Sequence, residues 1–378
     1  MNIPFNKPHL AGKETSYIVD AVESGITRGN GEYTKKCQAF FEARYGFKKC
    51  LLTTSCTDAL EMAAILCGVG PGDEVIVPSY TFVSTALAFV RQGATIRFAD
   101  SEADTPNLDV TKIEALINSK TKVIVPVHYA GMACDMDAIM EIATRHNLLV
   151  VEDAAQAIDS FYTGKDGKPR PLGSIGHFGC FSFHETKNII AGEGGMLVVN
   201  DERFITRAEI IWEKGTNRSQ FFRGEIDKYG WVDTGSSFLP SDIVAAFLYA
   251  QLEHLDEIQD KRKAHWNAYQ KALAPLAEKG FFELPKIPSY ATNNAHMFYL
   301  VFKNLEQRST FIEKLKAQAI NPVFHYLSLH KSPYYTAQYV GEPLVNADRY
   351  TDCLVRLPLY YDLPIEQVIE AIQSLYCA

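Results

Sequence analysis

The segment SFHETKNIIAGEGG, Ser182 to Gly195, sets one lysine, Lys187, between an apolar run, HFGCFSF, and a glycine-rich turn that feeds a second run, MLVVN. A lysine held inward at such a turn loses solvation, which lowers its proton affinity and frees part of it as a nucleophilic amine. Glycines 192, 194 and 195 let the backbone double back tightly. A second charged residue, Asp153, ends the run LLVVED, where a carboxylate beside buried valines is costly without a partner. Its other reading is an N-cap for the AAQA segment that follows. TTSCTDALEMA (53–63) puts Ser55, Cys56 and Thr57 just ahead of a helical pattern, so hydroxyls and free backbone N–H groups converge where an anion can sit. An ordinary helix cap would look the same. PSYTFVST (78–85) brings Phe82 in after another short strand, to stack on a flat ring or to pack in the core.

An amine for a Schiff base, a carboxylate to keep a ring nitrogen protonated, and a cup for a phosphate are the three demands of pyridoxal 5'-phosphate, and each has a candidate here. Other cofactor patterns fail. GVGPGD (68–73) carries Asp73 where a dinucleotide fingerprint needs its third glycine, and no GxxxxGK[ST] stretch occurs. His177, Cys180 and His184 have a loose metal-like spacing, but residues 177 and 180 face opposite sides of a strand, so no metal is expected.

These residues need a scaffold, and the pattern from about residue 50 to 200 supplies one. Helical stretches at 57–69, 84–93, 111–119 and 136–147 alternate with short apolar runs at 74–80, 94–100, 122–129 and 148–153. That alternation predicts an α/β fold with a mostly parallel sheet covered on both faces and ligands beyond the carboxyl ends of its strands, where Asp153 and His128 lie. Residues 242–280 read as one long helical stretch, followed by a strand in HMFYLVF and helices around 308–319 and 364–376. The expected division is a large unit over 1–240, then a connecting helix and a small C-terminal α+β unit over 241–378.

The 378 residues suit two domains. A net charge of −8 argues against a general nucleic-acid or anionic-membrane binder. The eight cysteines are scattered without CxxC pairs, MNIPFNKPHL does not read as a signal peptide, and no apolar run approaches a membrane span, so a cytoplasmic protein with reduced thiols is expected.

Taken together, SFHETKN…GEGG, VVEDAAQA, SCTDALEMA and PSYTFVST resemble the sugar aminotransferases of the DegT/DnrJ/EryC1/StrS family along essentially the whole chain. The resemblance implies the fold type I architecture of pyridoxal-phosphate enzymes, with a mostly parallel central sheet and a smaller C-terminal α+β domain. It implies that Lys187 carries the cofactor, Asp153 contacts the pyridine nitrogen, Gln156 lies near the ring hydroxyl, Phe82 stacks, and Ser182 with the Cys56–Thr57 turn holds the phosphate. It also implies a homodimer with shared active sites. Ser237, in GSSFLPSD, stands where relatives use an asparagine that reaches the neighbour's phosphate. Segments 214–233, 126–137 and 294–302 resemble more narrowly the members that aminate C4 of dTDP-4-dehydro-6-deoxyglucose with L-glutamate, giving the galacto product. Lysine rather than histidine at 187 favours transamination over dehydration.

A nucleotide-linked sugar brings two phosphates, so cations are expected near its pocket: Arg218 and Arg223 are candidates, or else members of a solvated loop. His184, His325 and His330 are candidates to face the sugar, and each could equally be a core or surface histidine. Arg28, in GITRGNGEY, could belong to a lid loop. Competing readings are delivery of the amine to the gluco face, amination at C3, an amino-acid lyase, and a catalytically silent nucleotide-sugar sensor.

Overall fold

Short runs of valine, isoleucine and leucine that are apolar at every position, rather than at alternate ones, belong in a sheet buried on both faces. The computed structural model describes residues 2–376 and arranges those runs that way. The strands are β1 (Cys50–Thr53), β2 (Glu74–Pro78), β3 (Thr95–Ala99), β4 (Thr121–Ile124), β5 (Leu149–Asp153), β6 (Phe161–Thr163), β7 (Pro169–Pro171), β8 (Phe178–Ser182), β9 (Gly195–Val199), β10 (Phe298–Val301), β11 (Val323–Phe324) and β12 (Leu354–Leu357). The α-helices are α1 (Glu14–Glu23), α2 (Glu32–Tyr45), α3 (Cys56–Leu66), α4 (Val83–Val90), α5 (Met136–His146), α6 (Ile205–Trp212), α7 (Arg218–Phe222), α8 (Asp242–Leu252), α9 (Leu255–Glu278), α10 (Leu305–Ala317), α11 (Val345–Cys353) and α12 (Ile365–Ser374).

Seven strands form the main sheet in the order β1-β9-β8-β5-β4-β2-β3. β9 alone runs against the others, pairing antiparallel with β1 and β8, so the mostly parallel sheet expected from the alternation is present. Strand period two sorts the core. Leu51, Val75, Val77, Val123, Val151, Phe178, Cys180 and Leu197 turn to one face, under α3, α4 and α6. Leu52, Ile76, Ile124, Val150, Met196 and Val198 turn to the other, against α2, α5 and α8. The first of these cores continues without a break into the second sheet, β10-β12-β11, through Phe298, Leu300, Val355 and Leu357.

Two helical expectations differ from the structure. Residues 111–119 form two separate 3₁₀ turns, Val110–Lys112 and Glu114–Leu116, rather than an α-helix. Asp109 Oδ1 accepts from Thr111 N at 2.9 Å, and that local bond favours a turn over helix propagation. The stretch 242–280 is not continuous, because α8 ends before Glu253 and α9 restarts at Leu255. The break follows from anchoring: Gln251 Nε2 donates to Glu14 Oε1 (2.6 Å) and Tyr17 Oη donates to Glu253 (2.8 Å), fixing the end of α8 on α1, while α9 leaves to pack on α12.

All seven described cysteines are free thiols, and Cys377 lies outside the described residues. Among the described residues no helix is long and apolar enough to cross a membrane.

Candidate active site

Because β1, β2, β5 and β8 share a direction, their carboxyl ends meet along one edge of the sheet. Each end delivers a piece of a cavity of ≈590 Å³. β1 leads to Ser55, Cys56 and Thr57, β2 to Thr81, Phe82 and Ser84, β5 to Asp153, Ala155 and Gln156, and β8 to Ser182, His184 and Lys187. Asp153 belongs to the period-two set of Val151, and Ser182 to that of Cys180, so both face α3 and α4.

Lys187 sits in a tight turn after β8. Its backbone N–H donates to His184 O at 2.9 Å, and Glu185 N donates to Gly192 O at 2.9 Å, with Gly192 at φ 78°. The next residue fastens the turn to the rest of the molecule. Buried Asn188 donates from Nδ2 to Gln259 Oε1 and to Asn294 O, both at 2.8 Å, and its Oδ1 lies 2.9 Å from His296 Nδ1. Burial lowers the Lys187 amine from 10.5 to about 8. The Cys56 and Asp153 side chains oppose that fall, and the positive charge of Arg356 adds to it.

Asp153 is 5% exposed, and burial raises its carboxyl above the usual range. The Thr85 hydroxyl, donating at 2.7 Å, and the Ala155 N–H, donating at 3.1 Å, pull it back, as does the charge on Lys187. Thr85 is itself bonded to Thr81 at 2.9 Å, so the carboxylate is oriented through α4. The N-cap alternative is thus partly met by the Ala155 bond, but one backbone donor and one hydroxyl leave acceptor capacity free on a carboxylate.

At the mouth of α3, Ser55 caps Asp58 N at 3.1 Å, and the N–H groups of Cys56 and Thr57 have no intrahelical acceptor. Thr57 Oγ1 lies 2.7 Å from Ser84 Oγ. Gly195, at the start of β9, lets this turn approach: a Cβ there would overlap the backbone of Ser55 and Cys56. Phe82 is 55% exposed on the cavity rim, 6.0 Å between ring centroids from Tyr326. Gln156 is held on both sides, accepting from Ala130 N at 2.7 Å and donating to Tyr326 Oη at 3.1 Å. The residues therefore fit pyridoxal phosphate: a partly neutral lysine, a buried carboxylate seeking a cation, a helix N-terminus with open donors, and an unstacked aromatic face.

Among the substrate candidates, His184 and His325 line the cavity. His184 Nδ1 is 3.0 Å from Thr186 Oγ1, and His325 Nδ1 is 3.1 Å from Tyr129 Oη. His330 does not reach it: this ring is a core histidine, with Nδ1 2.7 Å from Ser79 Oγ and Nε2 3.7 Å from Asp348. His128 is also buried away from the cavity, 2.9 Å from Glu152 through Nε2, so the strand end exposes Asp153 and not its neighbour. Arg218, Arg223 and Arg28 gather instead around a second cleft with Lys35, Lys49 and Glu209. There Arg223 pairs with Glu209 (2.9 Å) and Glu225 (2.6 Å), which already satisfy its charge. Ser237 is exposed beside Glu213 and does not line the Lys187 cavity within one chain.

The cavity also contains Tyr326, His296 and Arg356, which carry no local signal because they come from the second sheet and the segments around it. Arg356 projects from β12, the central strand of that sheet, paired to Tyr299 and Val323.

Comparison with known proteins agrees with this arrangement. The chain is 33% identical over 390 residues to the spore coat polysaccharide biosynthesis protein SpsC of Bacillus subtilis, covering 99% of this chain and 97% of that protein. It is 35% identical over 335 residues to the GDP-perosamine synthase of Caulobacter vibrioides, covering 87% and 85%. Among solved structures, Spr1654 of Streptococcus pneumoniae, a candidate sugar aminotransferase in its PMP-form, superposes with a TM-score of 0.89 at 27% identity, covering 99% of both chains. The same protein is known in a PLP-form. Residues 8–376 match one family from end to end, and with Lys187, Asp153 and the α3 cup meeting at a single cavity, the chain belongs to the DegT/DnrJ/EryC1/StrS aminotransferase family.

Proposed function

We propose that this sugar aminotransferase transfers the amino group of L-glutamate to C4 of dTDP-4-dehydro-6-deoxy-D-glucose, giving dTDP-4-amino-4,6-dideoxy-D-galactose for surface polysaccharide synthesis. Pyridoxal 5'-phosphate is the cofactor. The observation that carries the reading is the buried Lys187 amine, lowered to about 8, facing the same cavity as the buried Asp153 carboxylate. The likeness of segments 214–233, 126–137 and 294–302 to C4 transaminases supports the substrate. The identity to a GDP-perosamine synthase favours one competitor, a GDP-linked keto-sugar.

When bound, the cofactor supplies an electron sink for the bond being broken at the substrate carbon. The chain supplies the rest. Lys187 Nζ, neutral in part at pH 7, takes the proton from the donor's α-carbon and later returns one to sugar C4. Asp153, oriented by Thr85, would hold positive charge on the cofactor's ring nitrogen. The α3 N-terminus at Cys56–Thr57 and the Ser182 hydroxyl would hold its phosphate, and Gln156 and Phe82 would hold its ring. His184 and His325 face the sugar.

The same proposal includes a homodimer. The loop between α7 and α8 leaves Trp231 exposed in the same segment as Ser237, and α7 leaves Phe222 exposed. Burial of these apolar side chains against a second copy would bring Ser237, Arg218 and Arg223 toward that copy's cavity. The working units are a large one over 1–240 and a connecting helix with a small unit over 241–378, and α8 at the start of the second packs on α1 and α2 of the first. A cytoplasmic location is supported by the free thiols.

The test incubates purified protein, pyridoxal phosphate and L-glutamate with dTDP-4-dehydro-6-deoxyglucose and, in parallel, with a GDP-linked 4-keto-6-deoxy sugar, and identifies each product by NMR. An axial amine at C4 is expected. The gluco epimer, or product only from the GDP-linked sugar, overturns the substrate assignment and keeps the reaction class.

A further inference from the structure

We propose that His296 presents a bare Nε2 lone pair to the Lys187 cavity and accepts a hydrogen bond there from the sugar hydroxyl next to the reacting carbon, a specificity contact that rests on the sugar transaminase reading above. The tautomer is fixed from behind. Asn188, 4% exposed, donates through Nδ2 to Gln259 Oε1 and to the Asn294 carbonyl, both at 2.8 Å. A backbone carbonyl cannot donate, so it settles which way the Asn188 amide lies and leaves Oδ1 facing His296 Nδ1 at 2.9 Å. An amide oxygen only accepts, so the proton of that bond belongs to Nδ1.

A second proton, on Nε2, is strongly opposed. Burial holds the ring well below the ordinary histidine value of 6.5, and the charges that act on it, Lys187, Arg356 and Arg262, are all positive. The ring lines the cavity, yet no hydrogen bond to Nε2 exists among the described residues, Lys187 included. An acceptor shielded from bulk water costs free energy until a donor arrives. The mount is rigid: the His296 N–H donates to Asn294 Oδ1 at 3.0 Å, and its carbonyl accepts from Arg262 Nη2 at 2.7 Å. Asn294 is fastened in turn, donating to Gln156 O at 2.8 Å and Ile158 O at 2.7 Å.

Position and polarity select the ligand. Lys187 must reach the reacting carbon, and His296 lies near enough to feel the charge of that lysine. Beside C4 of a 4-keto-6-deoxy sugar stand C3, with a hydroxyl, and C5, with a methyl group and the ring oxygen. Of these groups only the C3 hydroxyl donates. An amino acid brings carboxylates, which accept and are repelled by a lone pair, and an amine committed to the reaction. His184 is wired the other way: the Thr186 N–H donates to its Nδ1 at 3.3 Å, which puts its proton on Nε2. The cavity therefore meets a sugar with one imidazole donor and one imidazole acceptor.

The experiment follows the spectral change of the holoenzyme with the amino-sugar alone. It compares dTDP-4-amino-4,6-dideoxygalactose with its 3-deoxy analogue in wild type, H296N and H296Q. Asparagine can keep the bond to Asn188 but has no atom at the Nε2 position, whereas glutamine reaches that position with an amide oxygen. Wild type is expected to favour the 3-hydroxy sugar by about 10- to 100-fold in kcat/KM, the scale of leaving one buried acceptor unpaired. H296N should bring that preference to within about threefold, and H296Q should fall between. The glutamate half-reaction should lose far less than the sugar one in both variants. Nitrogen NMR of histidine-labelled protein should show the ring whose signals vanish in either variant with its proton on Nδ1. A wild type indifferent to the 3-hydroxyl, an H296N that keeps the preference, equal losses in the two half-reactions, or a proton on Nε2 overturns the assignment. If H296N fails to fold, the wild-type ratio, H296Q and the NMR signals still decide. If glutamate converts the cofactor and the dTDP-amino-sugar does not, the substrate reading falls, and the same comparison on a GDP-linked 4-amino-6-deoxy sugar decides His296; conversion by neither sugar overturns both.

Discussion

The most exposed quantitative consequence of the site is the acidity of Lys187. Burial moves the amine from 10.5 to about 8. At pH 7 that raises the neutral fraction roughly 300-fold, to about one amine in ten. The rate at which apoprotein takes up pyridoxal phosphate should track that neutral fraction. That rate should rise with pH, bend near 8 and level off, while its ratio to the rate with free N-α-acetyl-lysine should stay constant below 8 and fall above it. The same burial has a stability signature, and its sign is fixed. Below pH 8 folded and unfolded chains both hold the proton, and the folded apoprotein carries a constant penalty of ~3 kcal/mol. Between 8 and 10.5 the unfolded chain binds a proton that the folded chain lacks, so stability rises with pH across that window. Lys187→Met should remove the penalty and flatten this part of the profile in urea unfolding of the apoprotein. An uptake rate that keeps climbing to pH 10, with parallel profiles for wild type and Lys187→Met, would refute the buried, partly neutral amine.

Lys187→Ala should abolish turnover and leave a folded protein by circular dichroism; near-wild-type turnover would remove it from the mechanism. Asp153→Asn should still bind cofactor but slow turnover by about 100-fold or more, since the charge on the ring nitrogen loses its partner; an unchanged rate rules that role out. Thr85→Val deletes the hydroxyl that donates to Asp153, so the carboxyl should titrate higher and the acid limb of the pH–rate profile should move to higher pH; an unmoved limb would mean that this bond does not set the carboxyl's acidity. Gly195→Ala drives a Cβ into the backbone that opens α3. The cost should be about 1–3 kcal/mol in unfolding, together with weakened cofactor binding; unchanged affinity would mean that this turn does not hold the phosphate.

Local pattern determined much of this protein. Strands buried on both faces leave runs such as LLVVED, and the residue just past such a run must stand at the sheet edge, which is why Asp153, Lys187, Phe82 and the Ser55–Thr57 cap could be read together from four short segments. Nothing so local marks α1 and α2, which lie ahead of β1 and gain their places by packing against α8, far along the chain. The break between α8 and α9 was hidden for the same reason, since helical spacing persists through Glu253 and only Glu14 and Tyr17 say where the first helix must stop. Histidine identity could not separate His325, turned to the cavity, from His330, tied to Ser79 in the core. Arg218 and Arg223 had the right chemistry for phosphate, but the fold of one chain gives them a cleft of their own. Arg356 is one arginine in an apolar strand until β12 is seated between β10 and β11 and its guanidinium enters the cavity that holds the lysine. Charge, spacing and period are carried by neighbours in sequence; whether a buried charge has a partner is decided only when distant segments meet.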